Sequence, residues 1–351
     1  MKTAASSRNF SSQDQIKSVA ELNSLQLIFN TNLRIFMKSP DGDAPTLIKQ
    51  YRQLRGARLK LSPELSVKTV SISDIFDSGL AKKDFAYRIV RLMRDQAASV
   101  HEFIHSFVVH GSYATRDFIP MWSDLDTMIV LKDSVFDSVT NLQRVKKVFL
   151  KLGLLCYWID PLAHHQLSFI TEFDLSYYPQ SFLPLPSYEQ ALLLLGTGQI
   201  HFDVRDDTSE QAAVFEKFTE HFRRKVKNGN WSRNQYDWKN DLAHTFLLPS
   251  LLLQTRGVYV YKRESFLKVK QVLNDFDARS LDQATDIMRK WEVSNFVKYL
   301  PARLIVSLPY WLSRIIVAIA RKPALLKRPA QSLIEIERLT REFLHLYEYK
   351  K

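Results

Sequence analysis

Apolar residues recur three and four positions apart from Leu22 to Phe36 and again from Thr46 to Leu61, the spacing that lines one face of an α-helix. Between them Ser39-Pro-Asp-Gly-Asp-Ala-Pro45 breaks the pattern with turn-forming residues. Asp84 to Ile104, opening Asp-Phe-Ala-Tyr-Arg-Ile-Val-Arg-Leu-Met-Arg, repeats the helical spacing and predicts an amphipathic helix leading into a strand. Phe107 to His110 and Thr127 to Leu131 read as strands, Leu142 to Leu154 as a helix, and His165 to Thr171 as a third strand before Pro179, Pro184 and Pro186 interrupt the pattern. The order is helix, strand, strand, helix, strand.

Beyond Ser187 the strand signals fade. Tyr188 to Leu195, Ser209 to Lys227, Trp238 to Gln254, Tyr261 to Phe276, Leu281 to Leu300 and Leu333 to Tyr349 carry helical periodicity, mostly separated by Gly, Asn or Pro. The expected organisation is therefore a tail with helices over residues 1–84, an α/β (α+β) core over 85–186, and a helical accessory domain over 187–351 that ends in a basic tail. The linker falls in the proline-bearing stretch from Pro179 to Ser187, and no internal repeat or low-complexity segment is present.

Composition narrows the classes. With 351 residues, 46% apolar and 25% charged, the chain has enough apolar residues for two modest cores, which argues against wholesale disorder. Cys156 is the single cysteine, so no internal disulfide forms, and Met1 to Gln15 is polar and Ser-rich rather than like a signal peptide. A reducing, cytoplasmic setting is the expectation. A net charge of +12 favours anionic partners: nucleotides, nucleic acid or an anionic membrane surface. From Arg303 onward ten Lys/Arg stand against four Asp/Glu, so peripheral membrane or nucleic-acid contact through the basic tail is one expectation. Leu304 to Ala320 is a seventeen-residue apolar run containing Pro309 and Arg314. It is too short and too interrupted for a transmembrane segment, and a buried or interfacial helix pair is expected.

The chemistry concentrates in Phe107-Val-Val-His-Gly-Ser112 and, eleven residues after the serine, Ser123-Asp-Leu-Asp-Thr-Met-Ile-Val-Leu131. Side chains alternate along a strand, so Asp124 and Asp126 are expected on one face with Leu125 on the other. Two hard oxygen ligands then stand side by side, the number Mg²⁺ typically takes from protein when substrate phosphates supply the rest. Glycine lets backbone approach a phosphate, and the Ser112 hydroxyl and following amides donate hydrogen bonds to it.

Gly111-Ser112, ten intervening residues and Ser123-Asp124-Leu125-Asp126 between two hydrophobic strands resemble the DNA polymerase β-type nucleotidyltransferase superfamily, over roughly residues 85 to 185. The resemblance implies a core built on a short mixed sheet, and an activity that moves a nucleoside monophosphate from an NTP to an acceptor hydroxyl. It also implies Mg²⁺ or Mn²⁺ held by Asp124 and Asp126, with Gly111 and Ser112 receiving the nucleotide phosphates. Members of that superfamily usually bring a third carboxylate from a later strand. Here His164-His-Gln-Leu-Ser-Phe-Ile-Thr171 holds none, which leaves Glu172, Asp174 or His165 to complete the set, with Glu172 taken as the third catalytic residue. Arg116, just after the Gly-Ser turn, and Lys225, in the basic run His221 to Arg233, are the candidate phosphate contacts. Tyr51 to Arg58 places three arginines at three-residue steps and reads as a surface face. The acceptor is expected to be anionic. The alternative is a catalytically weakened relative that binds nucleotide, RNA or a partner.

Overall fold

The computed structural model describes residues 18–58, 64–77, 85–163, 166–228, 234–272, 285–326 and 341. Helix α1 (Val19–Lys38) starts where the Ser18 side chain accepts a hydrogen bond from the Glu21 amide, and α2 (Ala44–Arg58) starts where the Asp43 side chain accepts from Thr46. Such caps satisfy amides that have no partner inside the helix. Short strands β1 (Ser66–Ser71) and β2 (Ser73–Asp74) follow, then α3 (Phe85–Ala97). The helix expected to reach Ile104 ends at Ala97 and passes into a tighter 3₁₀ turn, where Val100 leaves helical geometry.

The central hairpin is β3 (Ile104–His110) and β4 (Asp126–Leu131), joined by the one-turn helix α4 (Gly111–Ala114) and a loop. Helix α5 (Val139–Ile159) is capped by Ser138 and crosses back to β5 (Ser168–Thr171), which pairs parallel with β4. After α6 (Glu172–Leu175) and α7 (Leu185–Glu189) come β6 (Leu192–Gly196) and β7 (Gln199–Val204). The helix expected over Tyr188 to Leu195 is thus a short helix followed by a strand. The five-stranded sheet runs β2-β6-β3-β4-β5 and is mixed, while β1 and β7 form a separate antiparallel ribbon.

Alternation along the central strands sends side chains to two cores. Phe107, Val109, Ile129 and Leu131 pack with α1, α2, α3 and α5. Val108, Met128 and Val130 pack on the other face against Ile200 and Phe202 of the ribbon.

The remainder is helical: α8 (Thr208–Asn228), α9 (Gln235–Thr245), α10 (Leu248–Gln254) and α11 (Lys262–Val272). The segment expected as one helix from Trp238 to Gln254 is two, because Pro249 opens the second and cannot continue the first. Leu304 to Ala320 is a helix pair as expected, α12 (Ala302–Ser307) and α13 (Tyr310–Leu326), with Pro309 in the break. Val297, Ile305, Val306 and Val317 join the core of the N-terminal helices, so the chain returns to its beginning. Among the described residues no helix is long and apolar enough to cross a membrane. The helix expected over Leu333 to Tyr349 lies outside the described residues, apart from Arg341.

Candidate functional site

Antiparallel pairing sets the site. The last residue of β3, His110, lies opposite Asp126, the first residue of β4. The chain must then turn immediately, and Gly111 does so at φ +71°. That left-handed conformation suits glycine, and a second constraint acts at the same position. A β-carbon on Gly111 would collide with Asp126 Oδ2 and sit 3.2 Å from the Asp126 Cβ. The turn is shaped around the carboxylate.

Hydrogen bonds hold this turn. The Thr115 hydroxyl donates to Gly111 O at 3.2 Å, bonds Asp117, and lies 3.3 Å from the Tyr261 hydroxyl just before α11. On the other side of the loop the Ser123 hydroxyl accepts from the Ile119 amide at 2.9 Å while the Ser123 amide donates to Ile119 O at 2.8 Å. Ser123 therefore closes the loop that delivers Asp124.

Asp124 lies just before β4 rather than on it, yet the expected alternation survives: Leu125 is buried in the helix-side core and both aspartates are half-buried. Burial, with the Asp124 charge second, pushes the Asp126 carboxyl up to about 7, against the pull of Lys262 and Lys239. Two close carboxylates in one partly desolvated place favour a cation between them. Both lysines come from the helical half. Lys262 opens α11, and the surrounding chain lowers its ammonium while Asp126, Asp124 and Asp117 oppose that shift. Its side chain still reaches solvent.

Lys239 of α9 is buried and forms an ion pair with the fully buried Asp160 at the end of α5. Burial raises the Asp160 carboxyl to about 6; Lys239 counters this and the Asp124 charge adds to it. Asp160 Oδ1 also accepts from the Leu162 amide at 2.9 Å. The Lys239 ammonium lies 5.5 Å from the Trp122 ring centroid, so it touches the same loop that carries Asp124. Cys156, also close, is no nucleophile: burial, then the Asp124 charge, pushes its thiol up to about 12.

The structure thus brings Gly111, Ser112, Asp124 and Asp126 together. Glu172 stands elsewhere. Leu131 pairs with Thr171 in parallel register, so Glu172 lies beyond the far end of β4 from Asp126. Five residues of strand separate the two ends, about 17 Å. There Glu172 accepts from the Asp133 amide at 2.9 Å. Asp174 is fully buried and caps α6, accepting from Thr171, Gln26 and Asn30. Its role is structural. His164 and His165 lie outside the described residues. Lys225 forms an ion pair with Asp241, and Arg116 is an exposed turn residue at φ +63°. Among the described residues no group of three or more His, Cys, Asp or Glu is placed to hold a metal ion.

Sequence reading missed Asp160, Lys239 and Lys262. The one local signal was Asp160 itself, a lone acid inside Leu154-Leu-Cys-Tyr-Trp-Ile-Asp-Pro-Leu-Ala163, where a carboxylate needs a buried partner.

Residues 91–183 match the family model described as nucleotidyltransferase domain. No curated protein and no solved structure matches the chain. The matched residues run from within α3 through α6 and include the turn, both aspartates and Asp160. A hairpin whose Gly-Ser turn wraps a pair of acids, flanked by a parallel third strand and lying within this match, identifies residues 91–183 as a nucleotidyltransferase domain of the DNA polymerase β-type superfamily.

Proposed function

We propose that the protein is a metal-dependent nucleotidyltransferase that moves a nucleoside monophosphate from an NTP to an acceptor hydroxyl, with Asp124 and Asp126 holding Mg²⁺ or Mn²⁺. The observation that carries this reading is the fit of Gly111 to Asp126: only glycine lets the Asp126 carboxylate lie against the backbone of the Gly-Ser turn, which sets the acid beside the amides that would receive phosphate. The residues fit a hard divalent ion: two carboxylates, half-buried rather than sealed in the core, with Asp126 pushed up to about 7 by burial first and the Asp124 charge second. When bound, such an ion supplies charge neutralisation at the transferring phosphoryl group and makes a neighbouring hydroxyl more acidic.

The chain's own groups do the rest. Ser112 and the amides of the turn donate to phosphate oxygens, and the exposed Lys262 meets the triphosphate charge. Lys239, tied to Asp160, fixes the loop through Trp122 rather than touching substrate. Protein nucleophiles are not required.

One observation favours a second reading, a catalytically weakened module that binds nucleotide without transferring it. Neither Glu172 nor Asp174 approaches the pair, and Asp160 is engaged by Lys239. Titration of each NTP with Mg²⁺ or Mn²⁺ into wild type and the Asp124→Asn/Asp126→Asn variant tests both. Metal-dependent binding lost in the variant supports the site, and equal binding in the two refutes it. Pyrophosphate release during incubation with labelled NTP and candidate hydroxyl acceptors separates transfer from binding.

A further inference from the structure

Helix α13 turns an apolar stripe to water. Trp311, Ile315 and Ile319 recur at four-residue steps and are 64%, 50% and 68% exposed, with Leu326 at 66% further along and Leu304 of α12 at 52%. Ser313, Val317 and Ala324 are the residues this helix buries. A surface helix ordinarily does the reverse, hiding its large apolar residues and exposing its small and polar ones.

The helix pair is firmly seated. The Ser313 hydroxyl donates to Ile305 O at 2.6 Å, Lys151 Nζ donates to Val306 O at 2.7 Å, and Arg321 stacks on Tyr157 with its guanidinium carbon 3.5 Å from the ring centroid. Val317 reaches the core. The exposed stripe is the outer face of a docked element.

Charge identifies its occupant. Between Glu292 and Glu335 the sequence has no acidic residue and seven basic ones. Arg314 and Lys322 are exposed on α13 itself and Arg303 on α12. Trp and Ile flanked by Arg and Lys, on a helix too short and interrupted to span a bilayer, is the pattern of a helix lying in the plane of a membrane interface. The tryptophan suits the headgroup level, the isoleucines the acyl boundary, and each arginine or lysine is drawn to anionic lipid. Seventeen residues of helix laid flat extend about 25 Å. Nucleic acid would engage the cations and leave Trp311, Ile315 and Ile319 in water.

We propose that the α12–α13 face docks on an anionic lipid surface. The proposal stands apart from nucleotidyl transfer, and its test needs no turnover.

The test is sedimentation of the full chain with vesicles of phosphatidylcholine alone and of phosphatidylcholine mixed with phosphatidylserine. Wild type is expected to pellet with the mixed vesicles and far less with the neutral ones. Trp311→Ser/Ile315→Ser/Ile319→Ser, at exposed positions, and Arg314→Glu/Lys322→Glu should each lower apparent affinity by about tenfold or more. Circular dichroism and thermal melting of the same variants check that the fold is kept. Equal pelleting by wild type and the triple variant overturns the proposal. So does wild type that fails to pellet, whether the face is covered by a second copy, seen as a dimer that the triple variant abolishes, or by other parts of the chain. Retention of labelled duplex DNA that depends on Arg314 and Lys322 but not on the apolar stripe, without vesicle binding, reassigns the charge to nucleic acid and also overturns it.

Discussion

Asp126→Asn is the perturbation that most directly examines the site. It preserves shape and removes a charge that burial and the neighbouring Asp124 make unfavourable. The native carboxyl is raised from 3.8 to about 7. Roughly three units at about 1.4 kcal/mol each set an upper limit of about 4 kcal/mol on the native-state penalty. Asp126 is half-buried, so solvent screening reduces this, and an asparagine amide still needs partners; about 1 to 3 kcal/mol of stabilisation is expected for the metal-free variant at about pH 8.

The sign follows from linkage. The folded pKa lies above the unfolded one, so between about pH 4 and pH 7 the native state binds more protons than the unfolded state, and stability falls as pH rises through that window. Asp160, raised to about 6, acts in the same direction and remains in the variant, so the slope flattens rather than vanishes. Urea unfolding with chelator at about pH 5 and about pH 8 measures both effects. Mg²⁺ added at the higher pH should stabilise wild type and leave the variant unchanged, since a ligand that binds only the native state raises stability in proportion to its occupancy. Identical pH slopes in the two proteins, or a variant less stable than wild type at both pH values, refute the reasoning.

Gly111→Ala should be destabilised by about 1 to 2 kcal/mol from the left-handed backbone alone, and should lose metal-dependent NTP binding as the Asp126 carboxylate is displaced, both read by unfolding and calorimetry. Lys239→Met leaves Asp160 buried without its cation and should cost about 3 to 5 kcal/mol in urea unfolding. The double variant Lys239→Met/Asp160→Leu should recover much of that loss, whereas an additive loss would show that the pair does not act as a unit. Glu172→Gln should leave Mg²⁺-dependent NTP affinity unchanged, because the carboxylate bonds the Asp133 amide at the other end of the sheet. A loss of affinity beyond about tenfold would mean that Thr171 does not pair with Leu131 and that Glu172 reaches the acids.

Local pattern carried the helices α1, α2, α3, α5 and α8, the central hairpin and the Gly-Ser and Asp-Leu-Asp elements, because 3.6- and 2-residue periods act within a few residues of chain. It failed where pairing decides. Ala191-Leu-Leu-Leu-Leu-Gly196 has no alternation and is made of good helix formers; it is a strand because it lies against β3 in the sheet interior, where both faces are covered. Glu172 was the candidate third acid because it follows a third strand that holds none, and sequence shows that this strand exists but not that Thr171 pairs with Leu131. The Asp160–Lys239 pair joins residues 79 apart, a separation at which no motif is legible.

These long-range contacts change what the site is. An acid pair on a hairpin would by itself be a solvated loop end, with Asp126 ionised and its field screened. Here α9 packs through Trp238 and Leu242 with Trp122 of the loop before Asp124, α11 begins beside Tyr261, which meets Thr115, and the two helices bring two lysines with different duties. Lys239 is buried, matched to Asp160 and stacked near Trp122, so it secures the helices to the loop that carries Asp124. Lys262 has no such carboxylate partner within ion-pair distance among the described residues; it is exposed and feels Asp126, Asp124 and Asp117 together. A polyanion entering beside Gly111 and Ser112 raises the negative charge there further and favours that ammonium in its charged form. The Lys225 ammonium is already held by Asp241. Under the proposed function Lys262 is therefore the cation expected to meet a triphosphate, and its place at the start of α11 ties that helix to the Gly-Ser turn through the contact of Tyr261 with Thr115.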